Sequence, residues 1–289
     1  MKRFDYLAPK NLKEAIEMMS DHPEAIPLAG GTDLLVQMKE GHRSAQALLS
    51  LKRIPEVHQL TCNGKLAFGS AVTVARIAAN QQIRQEYTAL AVGAGLIGSV
   101  QIRNMATVGG NLCNAAPSAD TAPPLLVLGA QVVVASTHGE RTIPLETFFQ
   151  GPGRTALQPG ELLKEIVVPK PAPHSGSFYL RHIARARMDI AVVGVAAAVT
   201  LRADGTIVAA RVALGAVAPV PLRATAAEML LLGHRVTDKL LQEAGAMAAQ
   251  EAKPVDDLRA SADYRRHLVN ILTQRVLRGA LARARESRG

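Results

Sequence analysis

Pro27-Leu28-Ala29-Gly30-Gly31-Thr32-Asp33-Leu34-Leu35 is the segment around which the N-terminal part of this chain is organised. Upstream of it, Leu12, Ala15, Ile16 and Met19 recur at helical spacing, and the short apolar run Ala25 to Ala29 stops at the two glycines. The order is helix, strand, glycine turn. A helical stretch from Thr32 and the apolar run Ala47 to Leu51 extend it to a small α/β unit ending near Ile54-Pro55. A second double glycine lies in Thr107-Val108-Gly109-Gly110-Asn111. Neighbouring glycines leave successive backbone N–H groups unshielded by side chains, which suits an anionic diphosphate. One such turn alone is more often only a turn. Two of them in one chain point to a binding site.

Between the two segments, Asn63-Gly64 separates Val57-His58-Gln59-Leu60 from Lys65-Leu66-Ala67-Phe68 and predicts a hairpin with a type I′ turn. Helical patterns follow over Val74 to Ile83 and Ala89 to Val100, then a glycine-rich segment from 107 to 120, a helix over Ala122 to Leu128 and a strand over Gln131 to Ala135. The proline-rich run from Pro169 to Gly176 resists helix and ladder alike and reads as a linker. Beyond it, Phe178 to Leu180, Ala191 to Leu201 and Ile207 to Leu214 read as strands, the last two joined at Asp204-Gly205. Helices are expected over Thr225 to Leu232, Thr237 to Glu251 and Ala262 to Ala284. The expected division is residues 1–54, 55–170 and 176–289. The fold class is α+β, a small α/β subdomain and a mixed α+β subdomain followed by a C-terminal domain of antiparallel sheet and helices.

With 289 residues, 48% of them hydrophobic, the chain can bury a core of several subdomains. The N-terminus lacks the apolar run of a secretory signal, and the uncharged stretch Ala191 to Val199 is far short of the roughly 20 residues that span a bilayer. A cytoplasmic location without a membrane span is the expectation. The two cysteines, Cys62 and Cys113, cannot hold a four-cysteine iron–sulfur cluster, and no histidine stands near them at metal-ligand spacing. No metal site is expected. The net charge of +9 arises largely near the C-terminus, where residues 259 to 289 carry eight arginines and two acids. With 3% aromatic residues and no Trp to stack bases, a solvated or partner-docking basic helix is favoured over nucleic-acid binding.

Gly93-Ala94-Gly95-Leu96-Ile97-Gly98 matches the dinucleotide fingerprint, but Gly109, Gly110 and Pro117 interrupt the stretch where its helix and second strand belong. Small residues on a packed helix are the better reading. Asp120 could accept a hydrogen bond from a ribose or adenine group, or cap the helix from Ala122. The basic stretch Arg181, His182, Arg185 and Arg187 could face phosphates, a reduced flavin or water, and sequence alone favours water. No Gly-x-Ser-x-Gly elbow or His-Glu-x-x-His pair is present, so no catalytic side chain is assigned.

At these residues the chain resembles the FAD-binding medium subunits of the molybdenum hydroxylases, the family of xanthine dehydrogenase and carbon monoxide dehydrogenase. The likeness runs through Pro27 to Leu35, Gln101-Ile102-Arg103-Asn104, Thr107 to Asn111, Pro117-Ser118-Ala119-Asp120, Glu161-Leu162-Leu163 and Arg185 to Ala191. It implies FAD between the first two subdomains, with Leu28, Ala29, Gly30, Gly31, Thr32 and Asp33 and Thr107, Val108, Gly109, Gly110 and Asn111 around the pyrophosphate. It places Asp120 at the sugar or adenine side and brings Leu163 and Arg181 toward the flavin, with Asp189 on a loop beside it. It further implies a large subunit with a molybdenum–pterin centre and a small subunit with two [2Fe–2S] clusters, assembled as a dimer of heterotrimers. Electrons would pass from those clusters through FAD to an external acceptor.

The chain lacks the cysteine-bearing insert of relatives that reduce benzoyl-type thioesters. Thr32-Asp33 stands where many relatives carry a histidine or serine pair, so Asp33 is expected to turn its carboxylate away and contribute backbone only. Met188 replaces an acid or glycine. The alternatives are a stand-alone FAD-dependent oxidase with a tethered flavin, for which Ala29 to Leu35 offers no His or Cys, and a basic nucleic-acid or protein interaction module.

Overall fold

The computed structural model describes residues 2–185 and 188–287. β1 (Asp5–Leu7), α1 (Leu12–Asp21), β2 (Ile26–Leu28), α2 (Leu34–Lys39) and β3 (Ala47–Ser50) form a parallel sheet with β3 in the middle. A crossover helix precedes each return, as parallel pairing requires. α1 begins where the Asn11 side chain accepts the Glu14 N–H at 2.8 Å, and it buries Leu12, Ala15 and Met19.

A 3₁₀ turn at Pro55–His58 leads to β4 (Leu60–Thr61) and β5 (Leu66–Gly69). Six helices follow: α3 (Val74–Ala79), α4 (Gln81–Glu86), α5 (Thr88–Leu96), α6 (Val100–Met105), α7 (Val108–Asn114) and α8 (Ala122–Val127). β6 (Gln131–Ser136), β7 (Gly139–Pro144), the small pair β8 (Phe149–Gly151) and β9 (Arg154–Thr155), and β10 (Leu162–Val168) complete this region. Its antiparallel sheet has the order β4-β5-β10-β6-β7.

β11 (Ser175–Ile183), β12 (Ala191–Leu201), β13 (Ile207–Gly215) and β14 (Leu222–Arg223) pair antiparallel in that order, followed by α9 (Thr225–Leu231), α10 (Asp238–Glu251) and α11 (Ala262–Glu286). β12 is almost uniformly apolar because both its faces are covered. Val193, Val195, Ala197 and Val199 join the core under the C-terminal helices, whereas Ala196 and Ala198 face the core of the preceding region. Alanine on that second face lets α8 come close.

The same interface holds a buried polar knot. Asp120, 6% exposed, accepts the Tyr179 hydroxyl at 2.7 Å and pairs with the Arg181 guanidinium, which also donates to the Leu96 carbonyl at 2.9 Å. Burial pushes the Asp120 carboxyl up, opposed by Arg181 and Tyr179, and burial drives the Tyr179 hydroxyl well above its ordinary value. A second tie runs from Arg223 to both Glu228 and Glu146.

The α+β class and the small α/β unit at the N-terminus are found, the latter with parallel pairing, alongside several local differences. Val57 and His58 belong to the 3₁₀ turn, where Pro55 fits the first helical position, so only Leu60 and Thr61 reach the ladder. The turn after them is not type I′, since Gly64 has φ 73° but Asn63 is not at positive φ. The helix expected over Val74 to Ile83 is broken by Asn80, whose side chain accepts the Ile83 N–H and starts α4. The next ends at Leu96, because Gly98 turns at φ 46° and Ser99 caps α6. The glycine-rich segment from 107 is helical through Asn114, capped by Thr107. Strand β11 starts at Ser175, inside the expected linker.

Two charge readings also change. Arg181 does not face water, and on α11 Arg265 is buried, donating to the Val192 and Ala216 carbonyls and to Asp257. Arg187 lies outside the described residues. Removing one partner of a buried ion pair strands the other charge, so Arg181→Ala should cost about 3–5 kcal/mol of stability, read from the denaturant midpoint of the full chain.

Candidate functional site

The two glycine segments stand on facing walls of one cleft of about 580 Å³. β2 ends at Leu28, the chain turns through Ala29 to Asp33 into α2, and on the other wall Thr107 caps α7. The walls are close, since a Cβ on Gly110 would lie 4.0 Å from that of Ala29. At the rim, Gln37 of α2 donates to the Asn114 side chain of α7 at 3.1 Å and ties the two walls together.

The four glycines have different reasons to be glycine. A Cβ on Gly30 would sit 2.1 Å from the Met105 carbonyl oxygen, and one on Gly109 would sit 2.5 Å from that of Ser70. Both sites are therefore backbone-to-backbone contacts. Gly31 is required by its φ of 72°. At Gly110 a Cβ meets no backbone, the near atom being the Thr107 hydroxyl at 2.9 Å, which would have to shift. The N–H groups of Gly30, Gly31, Thr32 and Gly109 donate to no protein acceptor among the described residues. Unsatisfied donors gathered in a concave wall suit an anion with several oxygens.

Leu28 to Asp33, Thr107, Gly109 to Asn111 and Leu163 all line this cleft. Three expected residues do not. Val108 is fully buried with its N–H donated to the Val72 carbonyl, and Asp120 and Arg181 are committed to one another. Nor does Asp120 cap α8, since Thr121 holds that position. Met188 is exposed, at φ 62°, and the Asp189 carboxylate accepts the Ile190 N–H next to it. Asp33 makes no cap hydrogen bond; it lies exposed at the rim, where the cleft walls strip part of its hydration and push its carboxyl up.

Several lining residues carry no motif in the sequence. Arg43 follows the polar turn after α2 and brings a cation to the cleft, and Ser70 forms part of its inner surface. The segment from Gly153 to Leu162 adds a further wall, for which the sequence offers only the glycines at 153 and 160, both at positive φ in the structure. Glu161 braces it: its carboxylate pairs with Arg141 at 2.6 Å and accepts the Gln158 N–H at 2.7 Å. The Arg141 hydrogen bond holds Glu161 below the usual carboxylate range. Cys113 also lines the cleft, where burial pushes its thiol up to about 12 and disfavours the thiolate. Among the described residues no group of His, Cys, Asp and Glu could hold a metal ion, and no helix is long and apolar enough to cross a membrane.

The arrangement has close counterparts among known proteins. Residues 2–171 match the family model of the FAD binding domain in molybdopterin dehydrogenase, and residues 178–280 that of the CO dehydrogenase flavoprotein C-terminal domain. The chain is 33% identical over 282 residues to a putative xanthine dehydrogenase FAD-binding subunit of Escherichia coli (strain K12), covering 96% of each chain. It is 33% identical over 284 residues to the carbon monoxide dehydrogenase medium chain of Hydrogenophaga pseudoflava, covering 97% of this chain and 98% of that one. A solved structure of carbon monoxide dehydrogenase from Hydrogenophaga pseudoflava superposes with a TM-score of 0.93 at 33% identity, over 98% of each chain. Quinoline 2-oxidoreductase from Pseudomonas putida 86 superposes with a TM-score of 0.91 at 30% identity, over 98% of this chain and 99% of that one. The chain therefore belongs to the FAD-binding medium subunits of the molybdenum hydroxylases, the xanthine and carbon monoxide dehydrogenase family, and is the flavoprotein component of an oxidoreductase.

Proposed function

We propose that this chain holds FAD in the cleft between its first two subdomains and relays electrons from [2Fe–2S] clusters on a small partner subunit to an external acceptor. A large partner would carry the molybdenum–pterin centre, and the whole would assemble as a dimer of heterotrimers. The observation that carries this reading is the pair of glycine segments on facing walls, with backbone donors left free for a diphosphate. The subdomains are residues 1–54 and 55–170, with 176–289 as the C-terminal domain.

FAD, when bound, supplies the redox chemistry by taking up and releasing electrons. The chain's own residues bind and orient. Gly30, Gly31, Thr32 and Gly109 offer N–H groups to the diphosphate oxygens, and Gly110 leaves room for them to approach. Thr107 and Asn111 fix the second wall: the Thr107 hydroxyl accepts the Gly110 N–H at 3.0 Å, and the Asn111 side-chain Oδ1 accepts the Thr121 hydroxyl at 2.5 Å. Arg43 adds opposite charge at the rim, and Leu163, at the start of β10, offers apolar surface to the flavin end. Asp120 and Arg181 act from outside the cleft, by fastening β11 to the FAD-binding part.

Four outcomes test this reading. Gly110→Asp should abolish measurable FAD binding in a flavin fluorescence titration at a cost to the ligand-free chain of no more than about 1 kcal/mol, the Thr107 cap hydroxyl 2.9 Å from the new Cβ having to shift. Gly109→Ala should instead destabilise the chain itself, by about 1–3 kcal/mol, because its methyl must displace the Ser70 backbone. Asp33→Asn should tighten FAD binding about two- to five-fold at low ionic strength, an effect lost in high salt; no change would mean that the carboxylate does turn away. Affinity purification from the native source should recover one much larger and one smaller chain, and recovery of a flavin-bearing chain alone would favour a stand-alone oxidase.

A further inference from the structure

We infer that Ser70 is a hydrogen-bond donor to bound FAD, directed at an oxygen of its ribityl-diphosphate chain; the inference rests on the FAD reading above. Ser70 follows β5 directly, and its backbone N–H donates to the Lys164 carbonyl of β10 at 2.9 Å. The residue is only 3% exposed, yet it lines the cleft, and its hydroxyl has no hydrogen-bond partner among the described residues. A buried hydroxyl without a partner costs stability, so one retained at a cleft wall is explained most simply by a partner that arrives with the ligand. Its place along the cleft says which part of the ligand that is. On one side lies Gly109, where an added Cβ would stand 2.6 Å from the Ser70 Cβ and whose N–H is itself free; on the other lies β10 with Leu163. Ser70 thus sits between the wall that receives the diphosphate and the residue that meets the flavin. The ribityl hydroxyls and phosphate oxygens that would fall there are all acceptors.

The test compares full-length wild type, Ser70→Ala and Ser70→Cys, each purified with whatever chains accompany it and stripped of flavin. Two quantities are read: the dissociation constant for added FAD and the melting temperature without FAD. Ser70→Ala should weaken FAD binding about ten-fold or more, while the ligand-free melting temperature stays level or rises because an unpaired buried group is gone. Ser70→Cys keeps the connectivity of the side chain but has a bulkier atom and only a weak donor, so it should bind no better than the alanine variant. Ser70→Ala binding FAD within two-fold of wild type would overturn the inference, the hydroxyl then being served by trapped water. Full affinity in Ser70→Cys, or a lowered ligand-free melting temperature in Ser70→Ala, would overturn it in favour of packing. Wild-type protein that takes up no FAD would sink the FAD reading itself, and this inference with it.

Discussion

A missing methyl group sets the geometry of the cleft. Gly30 brings the turn after β2 against the Met105 carbonyl at the end of α6, and any side chain there would have to displace backbone. Gly109 on Ser70 and Gly69 on Val57 repeat the device, the last with a Cβ position 2.2 Å from the Val57 carbonyl. Protein interiors yield little to such intrusions. Three backbone contacts thus lock a parallel sheet, a 3₁₀ turn and a helix cluster into one wall system. The surface left facing the cleft is largely main chain, which is why polar donors are abundant there and charged side chains few.

What could be read from the sequence divides along the range of the forces involved. The helices α1, α10 and α11 and the strand β12 follow from spacing and caps within a few residues of each other. The first glycine segment is legible for the same reason. Thr107 to Asn111 reads as a loop because two glycines depress helix propensity, while a bridge from Thr73 to Thr107, which no local pattern announces, and the Thr107 cap hold it helical. Asp120 and Arg181 are separated by sixty-one positions, so no local pattern announces that each exists for the other. Arg43 and Ser70 reach the cleft through the chain path alone, and nothing in their neighbours marks them.

Charge in this protein is sorted by depth. The basic character concentrated in the last helix is only partly a surface property: Arg265 is spent on two carbonyls and on Asp257, whose carboxyl is held down to about 2 chiefly by the Arg259 N–H. Asp120, Tyr179 and Arg181 show the opposite balance, where burial outweighs the partner and raises the acid. Such a knot adds little net stability compared with apolar packing, but it accepts only one register of β11 against α5. Its value lies in alignment.

The two faces of β12 have a bearing on how the chain can be divided. A proline-rich run lies between β10 and the C-terminal sheet, which makes the connection look like a hinge between independent modules. Ala196, Ala198 and Tyr179 nevertheless complete a core that begins at Leu66, so either half, expressed without the other, would present a bare apolar surface to water. Cut near residue 172, the chain would become two polypeptides, each with apolar surface that only the other covers. Covalent continuity through the linker keeps their effective concentration high.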